Sequence, residues 1–440
     1  MKTTKILTCL AAFAWLTCIV LTGHADDPTV SNIQLHQRWP WSPLVDVDYT
    51  LTSDNTQPVD IALTGYNGAT PIDLPGASLS GDLFRQTNGT HRIVWDPEAT
   101  SYTNQGALSK FKVGLTPSIT PLYMIVDLTK DAADINQIEY ITESDLAGGA
   151  YGSVQTNPVT GVQSIIWTDV TNHTEYMTTK LVMRRVLSGS YTMGTKPVTL
   201  TKDFYIGVFE VTQAQWTNVM NSSWWANTYF TNPDYRATRP AESITYNNIR
   251  GATNDTSAIN WPLTGYSVNP SSFMGKLRAR TDTDTFDLPT EAQWEYACKA
   301  GTTTMFNDGD GTASTSAPND ITNQWLNALG RYLYNGGKVD GATPDRNCTT
   351  ETGSDTVGSY LPNAWGLYDM HGNLLELCLD WYATSEGGTD PLGTTSGTRR
   401  LRRGGSWSHL PGNCRSYDRM HWDPATSANW LGFRIVKTLP

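Results

Sequence analysis

The sequence is short of sulfur, of positive charge and of the compact motifs that mark common enzymes. Six Cys stand among 440 residues, too few for a disulfide-scaffolded mini-protein. No two Cys form a CxxC pair, so neither a zinc knuckle nor a thioredoxin-type redox pair is signalled. HExxH, GxSxG, the Walker A loop and GxGxxG are also absent, and with them the plainest signals for a zinc protease, a serine hydrolase, a P-loop NTPase or a dinucleotide enzyme. Lys and Arg number 31 against 42 Asp and Glu, a net charge of −11. A chain this acidic is a poor partner for nucleic acid or for an anionic membrane. After the first 25 residues no apolar run is long enough to span a bilayer. What is abundant is Trp (16), Gly (37) and Pro (23), which suits a loop-rich fold braced by large rings. Charged residues make up only 17% and aromatics 10%, so the acidity does not describe a disordered polymer.

Residues 1–25 read as a signal peptide. Lys2 and Lys5 form a positive start, Ile6 to Leu21 an apolar run, and Gly23 and Ala25 a small-residue site before Asp26. The run is short for a membrane span of ~20 residues, although an uncleaved anchor stays open. The expected location is secreted, periplasmic or at the cell surface, with no integral membrane span once the signal is removed. Cleavage leaves Cys298, Cys348, Cys378 and Cys414. In an oxidising compartment these allow one or two disulfides, and the sequence leaves their pairing open.

Residues 26–118 read as short strands. Val45, Val47, Tyr49 and Leu51 alternate with Asp46, Asp48, Thr50 and Thr52, and Val59, Ile61 and Leu63 repeat the pattern. Period two with one apolar face predicts half-buried strands. Asp, Asn, Gly and Pro punctuate between them. About 90 residues of this kind suit an all-β sandwich of immunoglobulin or fibronectin III type. The polar segment 119–180 reads as a bridging β-element with strands near Leu122–Leu128 and Val162–Trp167. From 181 to 440 the character changes. Thr212-Gln213-Ala214-Gln215-Trp216 and Thr290-Glu291-Ala292-Gln293-Trp294 predict two helix starts with a capping box, Thr accepting from the N3 amide while Gln reaches back.

Seven segments carry a specific resemblance, and they occur in order. They are EVTQAQW (210–216), RPAESITY (239–246), FDLPTEAQWEYACKAG (286–301), NAWGLYDMHGN (363–373), RRGGSW (402–407), NCRS (413–416) and LGFRIV (431–436). Together they resemble the sulfatase-modifying-factor family, whose founding member is the formylglycine-generating enzyme. The resemblance covers 181–440. It implies an α+β domain with a C-type-lectin-like fold and little regular secondary structure.

The family chemistry oxidises a Cys of a sulfatase peptide to formylglycine with oxygen and Cu⁺. Two soft thiolates hold Cu⁺ and leave a face open for the substrate thiol. In the family those Cys lie three and eight residues after the Ser of the GGS motif. That Ser is Ser406; three residues on is His409, and eight on is Cys414. One sulfur position is filled and the other is not. A Trp-Glu-Trp of the family is also replaced, by Leu375-Glu376-Leu377. The expectation is therefore no formylglycine generation of the family type. A copper site of His409 and Cys414 beside Ser406 is the catalytic alternative.

The resemblance also implies Ca²⁺, at positions that here are Asp369, Gly372, Leu374 and Glu376. Two carboxylates and two carbonyls make a reasonable start on the six to eight oxygens that Ca²⁺ takes. Asn307-Asp308-Gly309-Asp310-Gly311 resembles a calcium loop only faintly and reads as a solvated turn. His371 reads as structural. The basic run Arg399, Arg400, Arg402, Arg403 reads as pairing with the surplus carboxylates, with contact to an anionic ligand as the sharper alternative.

Two functions follow. One is a non-catalytic binding or assembly module that presents a ligand surface, rich in rings and small polar groups, from the C-terminal loops: Trp407, His409, Tyr417, His421, Trp422 and Trp430. Its partner would be an unknown protein or glycan. The other is the copper-dependent oxidoreductase.

Overall fold

The computed structural model describes residues 28–439 apart from 39–40, 54–56, 73, 75–77, 100–109, 148–150, 157–162, 171–172, 222–227, 252–267, 308–323, 337–346, 385–386 and 395. Residues 1–25, expected to be a signal peptide, and most of the faint calcium loop (308–311) lie outside the described residues. The chain divides into two compact units after Thr120.

The first unit holds two antiparallel sheets. In one the order is Thr29–Gln37, Val45–Thr52, Gly89–Trp95, Leu79–Gly81; in the other it is Thr70–Ile72, Val59–Asn67, Phe111–Ile119. The alternating residues do what their period requires. Val47, Tyr49 and Leu51 of one sheet meet Val59, Ile61 and Val113 of the other in one apolar cluster. Asp48 on the opposite side of its strand pairs with Arg92, so the polar set stays with charge and water.

The second unit takes in residues 121–439. The segment expected to bridge is built into it: Tyr123–Asp127 is an inner strand of a six-stranded antiparallel sheet, between Ile138–Ile141 and Lys180–Val186. The sheet continues through Phe204–Gly207, Val436–Thr438 and Phe286–Asp287. Val126, Tyr123 and Met124 are almost wholly buried, and an apolar strand closed on both faces belongs to a core rather than to a linker.

A four-stranded sheet positions the site. Its order is Met420–Trp422, Arg400–Arg403, Leu375–Trp381, Leu431–Gly432, with the last pair parallel. Helix Glu291–Lys299 packs nearby and inserts Trp294 into a cluster with Phe204, Ile206, Met370, Cys378 and Leu401. Both expected capping boxes form, at Thr212 with Gln215 and at Thr290 with Gln293. A third, at Thr245 with Asn248, opens the four-residue helix Tyr246–Ile249. Sheet predominates, helices are short, and no helix among the described residues is long and apolar enough to cross a membrane.

Candidate functional site

The motif segments converge on the turn Gly404–Trp407. Gly372 N–H donates to Gly404 O at 2.7 Å, and Trp407 N–H to Asn373 O at 2.9 Å, so two motifs separated by thirty-odd residues are laced together. Gly405 sits at φ +77°, and a Cβ there would overlap Cys414 Sγ. Only glycine allows the sulfur to lie so close behind the turn.

Cys414 is a buried thiol packed with Phe306, Leu326, Leu329 and Tyr332. Burial pushes its thiol well up, against a weaker pull from the Ser406 amide. A thiolate is therefore disfavoured where Cu⁺ needs one. His409 Nδ1 lies 2.5 Å from Ser406 Oγ, and its ring meets Trp430 edge-on at 5.9 Å. Burial, and then the charge of Arg402, lower His409 to about 4, so the imidazole is neutral. The three residues do gather around one turn. The four cysteines Cys298, Cys348, Cys378 and Cys414 are all free thiols, so the disulfides that the sequence left open do not form. Among the described residues no three His, Cys, Asp or Glu side chains gather as a metal cage. One protonated sulfur in an apolar cluster does not fit Cu⁺.

The expected calcium positions fit a cation in part. Asp369 is buried at φ +57°; its Oδ2 accepts from Gly358 N at 2.7 Å, and its Oδ1 has no partner among the described residues. Burial raises Asp369 to about 7. Glu376 is different, and its expected ligand role is corrected. Arg434 grips its carboxylate through Nε (2.8 and 3.0 Å) and Nη2 (2.7 Å), and Trp294 Nε1 donates to it at 2.7 Å. A carboxylate holding four donated bonds has little left for Ca²⁺. Glu210, which the sequence did not single out, accepts from Leu374 N (2.9 Å) and Asn373 Nδ2 (2.7 Å). Burial and the neighbouring Asp369 and Glu376 raise it well above the usual carboxylate range. Three carboxylates thus share one guanidinium, a local surplus of negative charge.

His371 is structural, as expected. Its Nδ1–H donates to Cys414 O at 2.7 Å, and its Nε2 accepts from Asn307 N at 3.1 Å. Cys298 Sγ lies 3.8 Å from Nε2.

The six expected surface residues separate into two kinds. Trp407 is only 2% exposed, and its Nε1 donates to Asn429 O at 3.0 Å. It braces the turn against Phe230 and is withdrawn from the surface set, because a ring enclosed by Phe230 and Leu374 cannot meet a ligand. Trp422 and Trp430 meet edge-on at 4.6 Å and remain half-buried. Tyr417 is exposed, and His421 lies against Tyr382 at 4.5 Å. The sequence missed Tyr382, since it falls outside the loop that carries the other rings. The basic run behaves unevenly. Arg403 pairs with Glu295 and Arg400 donates to Leu379 O at 2.5 Å, whereas the Arg402 guanidinium lies beside the rings of Trp422 and Trp430, with Nε and Nη1 lacking a hydrogen-bond partner among the described residues.

The family of sulfatase-modifying factor enzyme 1-like domains matches residues 168–439. The chain is 28% identical over 225 residues to the chaperone protein LppX of Paenibacillus barcinonensis, covering 48% of this chain and 71% of that protein. To the formylglycine-generating enzyme of Thermomonospora curvata it is 32% identical over 162 residues, 34% of this chain and 48% of the enzyme. To the mouse formylglycine-generating enzyme it is 31% identical over 155 residues, 34% of this chain and 38% of the enzyme. The chain thus spans less than half the length of these two enzymes. Similar solved structures include Treponema denticola variable protein 1, at 22% identity and a TM-score of 0.42 over 65% of this chain and 99% of that one. PvdO from Pseudomonas aeruginosa follows at 23% identity and a TM-score of 0.41 over 59% and 95%. Seven ordered motifs, the turn they build together and a match over most of the chain lead to one conclusion: this protein belongs to the sulfatase-modifying factor enzyme 1-like family.

Proposed function

We propose that the protein is an exported, non-catalytic binding or assembly module. The first unit serves as an immunoglobulin-like or fibronectin III-like β-sandwich spacer, and the C-terminal loops of the second unit present the ligand surface. The observation that carries the reading is Cys414: a lone sulfur, buried among apolar rings, with His409 at the other expected sulfur position. Copper-dependent oxidation needs a thiolate pair open to substrate, and neither a pair nor a thiolate is favoured here. The relative from P. barcinonensis is named a chaperone, which agrees with an assembly role on a protein partner.

In this reading Ca²⁺ is a structural ion. Asp369 Oδ1 is its one free anionic ligand among the described residues, with the carbonyls of Gly372 and Leu374 completing the protein share. It would offset the surplus charge of Glu210, Asp369 and Glu376. The test of the whole reading is direct: the full chain is loaded with Cu⁺, given oxygen and a CxPxR peptide, and followed by mass spectrometry. The expected result is no aldehyde and no retained copper. Aldehyde product, with copper near one per chain, would restore the oxidoreductase, which the formylglycine-generating relatives favour.

A further inference from the structure

We propose that the cleft lined by Asp380 and Gly393 is a receptor for a primary ammonium group of lysine type. The site goes beyond the ring-lined loop surface proposed above and does not depend on it. It begins with a break in register. Cys378, Leu379 and Asp380 stand against the single residue Leu401, between the pairs Leu377–Arg402 and Trp381–Arg400. A bulge of this kind re-aims side chains. Here Asp380 turns to the start of helix Glu291–Lys299, where its Oδ2 accepts from Glu291 N at 2.7 Å. Its Oδ1 accepts no hydrogen bond from another residue among those described. Asp380 is only 3% exposed, yet it lines a cleft of about 250 Å³, the open mouth included.

Gly393 leaves the second oxygen uncovered. It sits at φ +68°, and a Cβ there would lie 3.1 Å from Asp380 Oδ1. The other acid of the cleft is already spent. Glu291 gives one oxygen to Arg419 Nε and the other to Arg419 Nη2, at 2.7 Å for the latter. The remaining Nη1 of that guanidinium donates to Ala383 O at 2.7 Å. Arg400 donates to Leu379 O and acts on Asp380 only from a distance. Asp380 is thus a buried acid without an ion pair among the described residues. Burial, and then the charge of Glu291, raise it to about 8. A carboxyl in that position gains from a cation that enters beside it.

The walls choose the cation. Met193, Ala292, Trp381 and Pro391 line the same cleft with apolar surface. Such walls hold a methylene stem while its charged end meets a polar partner. Ca²⁺ takes six to eight oxygens, and the cleft has one carboxylate oxygen free. A guanidinium is a planar fork that two oxygens satisfy, again more than Asp380 has left. The volume falls below the roughly 300 Å³ at which ligand pockets begin, so it suits a head group and a short stem rather than a whole cofactor. The net charge of −11 also favours the approach of cations over anions.

The test is a ligand-observed NMR titration of the full chain with Nα-acetyl-lysine methylamide, n-pentylamine, the norleucine and arginine analogues of the first, and Ca²⁺ as competitor. It is run on the wild type, Asp380→Asn and Gly393→Ala. Asn keeps the acceptor for Glu291 N and removes the charge, whereas Ala keeps the acid and covers Oδ1. A urea transition checks that each folds, and where one does not, the other decides. The expected result is binding of the lysine analogue by the wild type, weakened at least about tenfold in both variants, as loss of one charged hydrogen bond requires. No amine binding by the wild type, or equal binding by a folded variant, overturns the receptor. Equal binding of the norleucine analogue overturns the ammonium. Tighter binding of the arginine analogue, or displacement of the lysine analogue by Ca²⁺, overturns the choice of cation. A lysine analogue tighter than pentylamine assigns the group to a protein side chain and the reverse to a free amine; both uphold the receptor.

Discussion

Two neighbouring strands of one sheet treat arginine and glutamate in opposite ways. At Leu375–Trp381 the Glu376 carboxylate is closed on every side, by Arg434 and by Trp294. At Arg400–Arg403 the Arg402 guanidinium lies against the perpendicular indoles of Trp422 and Trp430, with no carboxylate paired to it among the described residues. The first arrangement is a fastener. It ties NAWGLYDMHGN, the Trp294 helix and LGFRIV into one body, and its charges cancel. The second is less deeply buried, Arg402 being 9% exposed where Glu376 and Arg434 are fully enclosed, and it lacks the cancellation.

The comparison breaks most visibly under substitution. Arg434→Met leaves Glu376 buried and uncompensated, so unfolding in urea should fall by about 3–5 kcal/mol. Arg402→Leu removes a charge that had no counter-ion and should stay within about 1 kcal/mol of the wild type or exceed it. Equal losses for the two would erase the distinction drawn here. A smaller effect concerns Asp369. Calcium at a hundredfold excess over its dissociation constant should stabilise the wild type by about 2.7 kcal/mol, read as a calcium-dependent rise in Tm. Asp369→Asn should abolish the rise without lowering the calcium-free Tm, since it removes a carboxyl already raised to about 7 by burial. A calcium response that survives Asp369→Asn would place the ion elsewhere. The smallest effect is local: Thr290→Ala deletes one half of a capping box and should cost about 1 kcal/mol.

What the sequence made legible was short in range. The boxes at Thr212 and Thr290 are written within four residues, and the strands Val45–Thr52 and Val59–Asn67 within one period-two run. The box at Thr245 escaped, because Asn at the third position is a weaker signal than Gln and the helix is one turn long. The ordered motifs gave the family, but not which charges they pair. Glu376 looked like a cation ligand because Arg434 lies 58 positions away, and no spacing rule joins them. Trp407 looked like a surface ring because its loop is polar; Phe230, which covers it, comes from a distant segment. The strand Tyr123–Asp127 looked like a connector because polar sequence surrounds it, and only its partners on both sides make it core.

The imidazole of His371 deserves a last physical consequence. One ring nitrogen gives a proton to the chain at Cys414 while the other receives one from the chain at Asn307, so this clasp works only while the ring is uncharged. Burial has moved its protonation down to about 4, from a reference near 6.5. The unfolded chain therefore takes up the proton first, and the clasp's contribution, whole above 6.5, drains away as acidity carries the medium down to 4. Souring surroundings would unbutton the loops around Cys414 from within, at a joint no solvent touches until it opens.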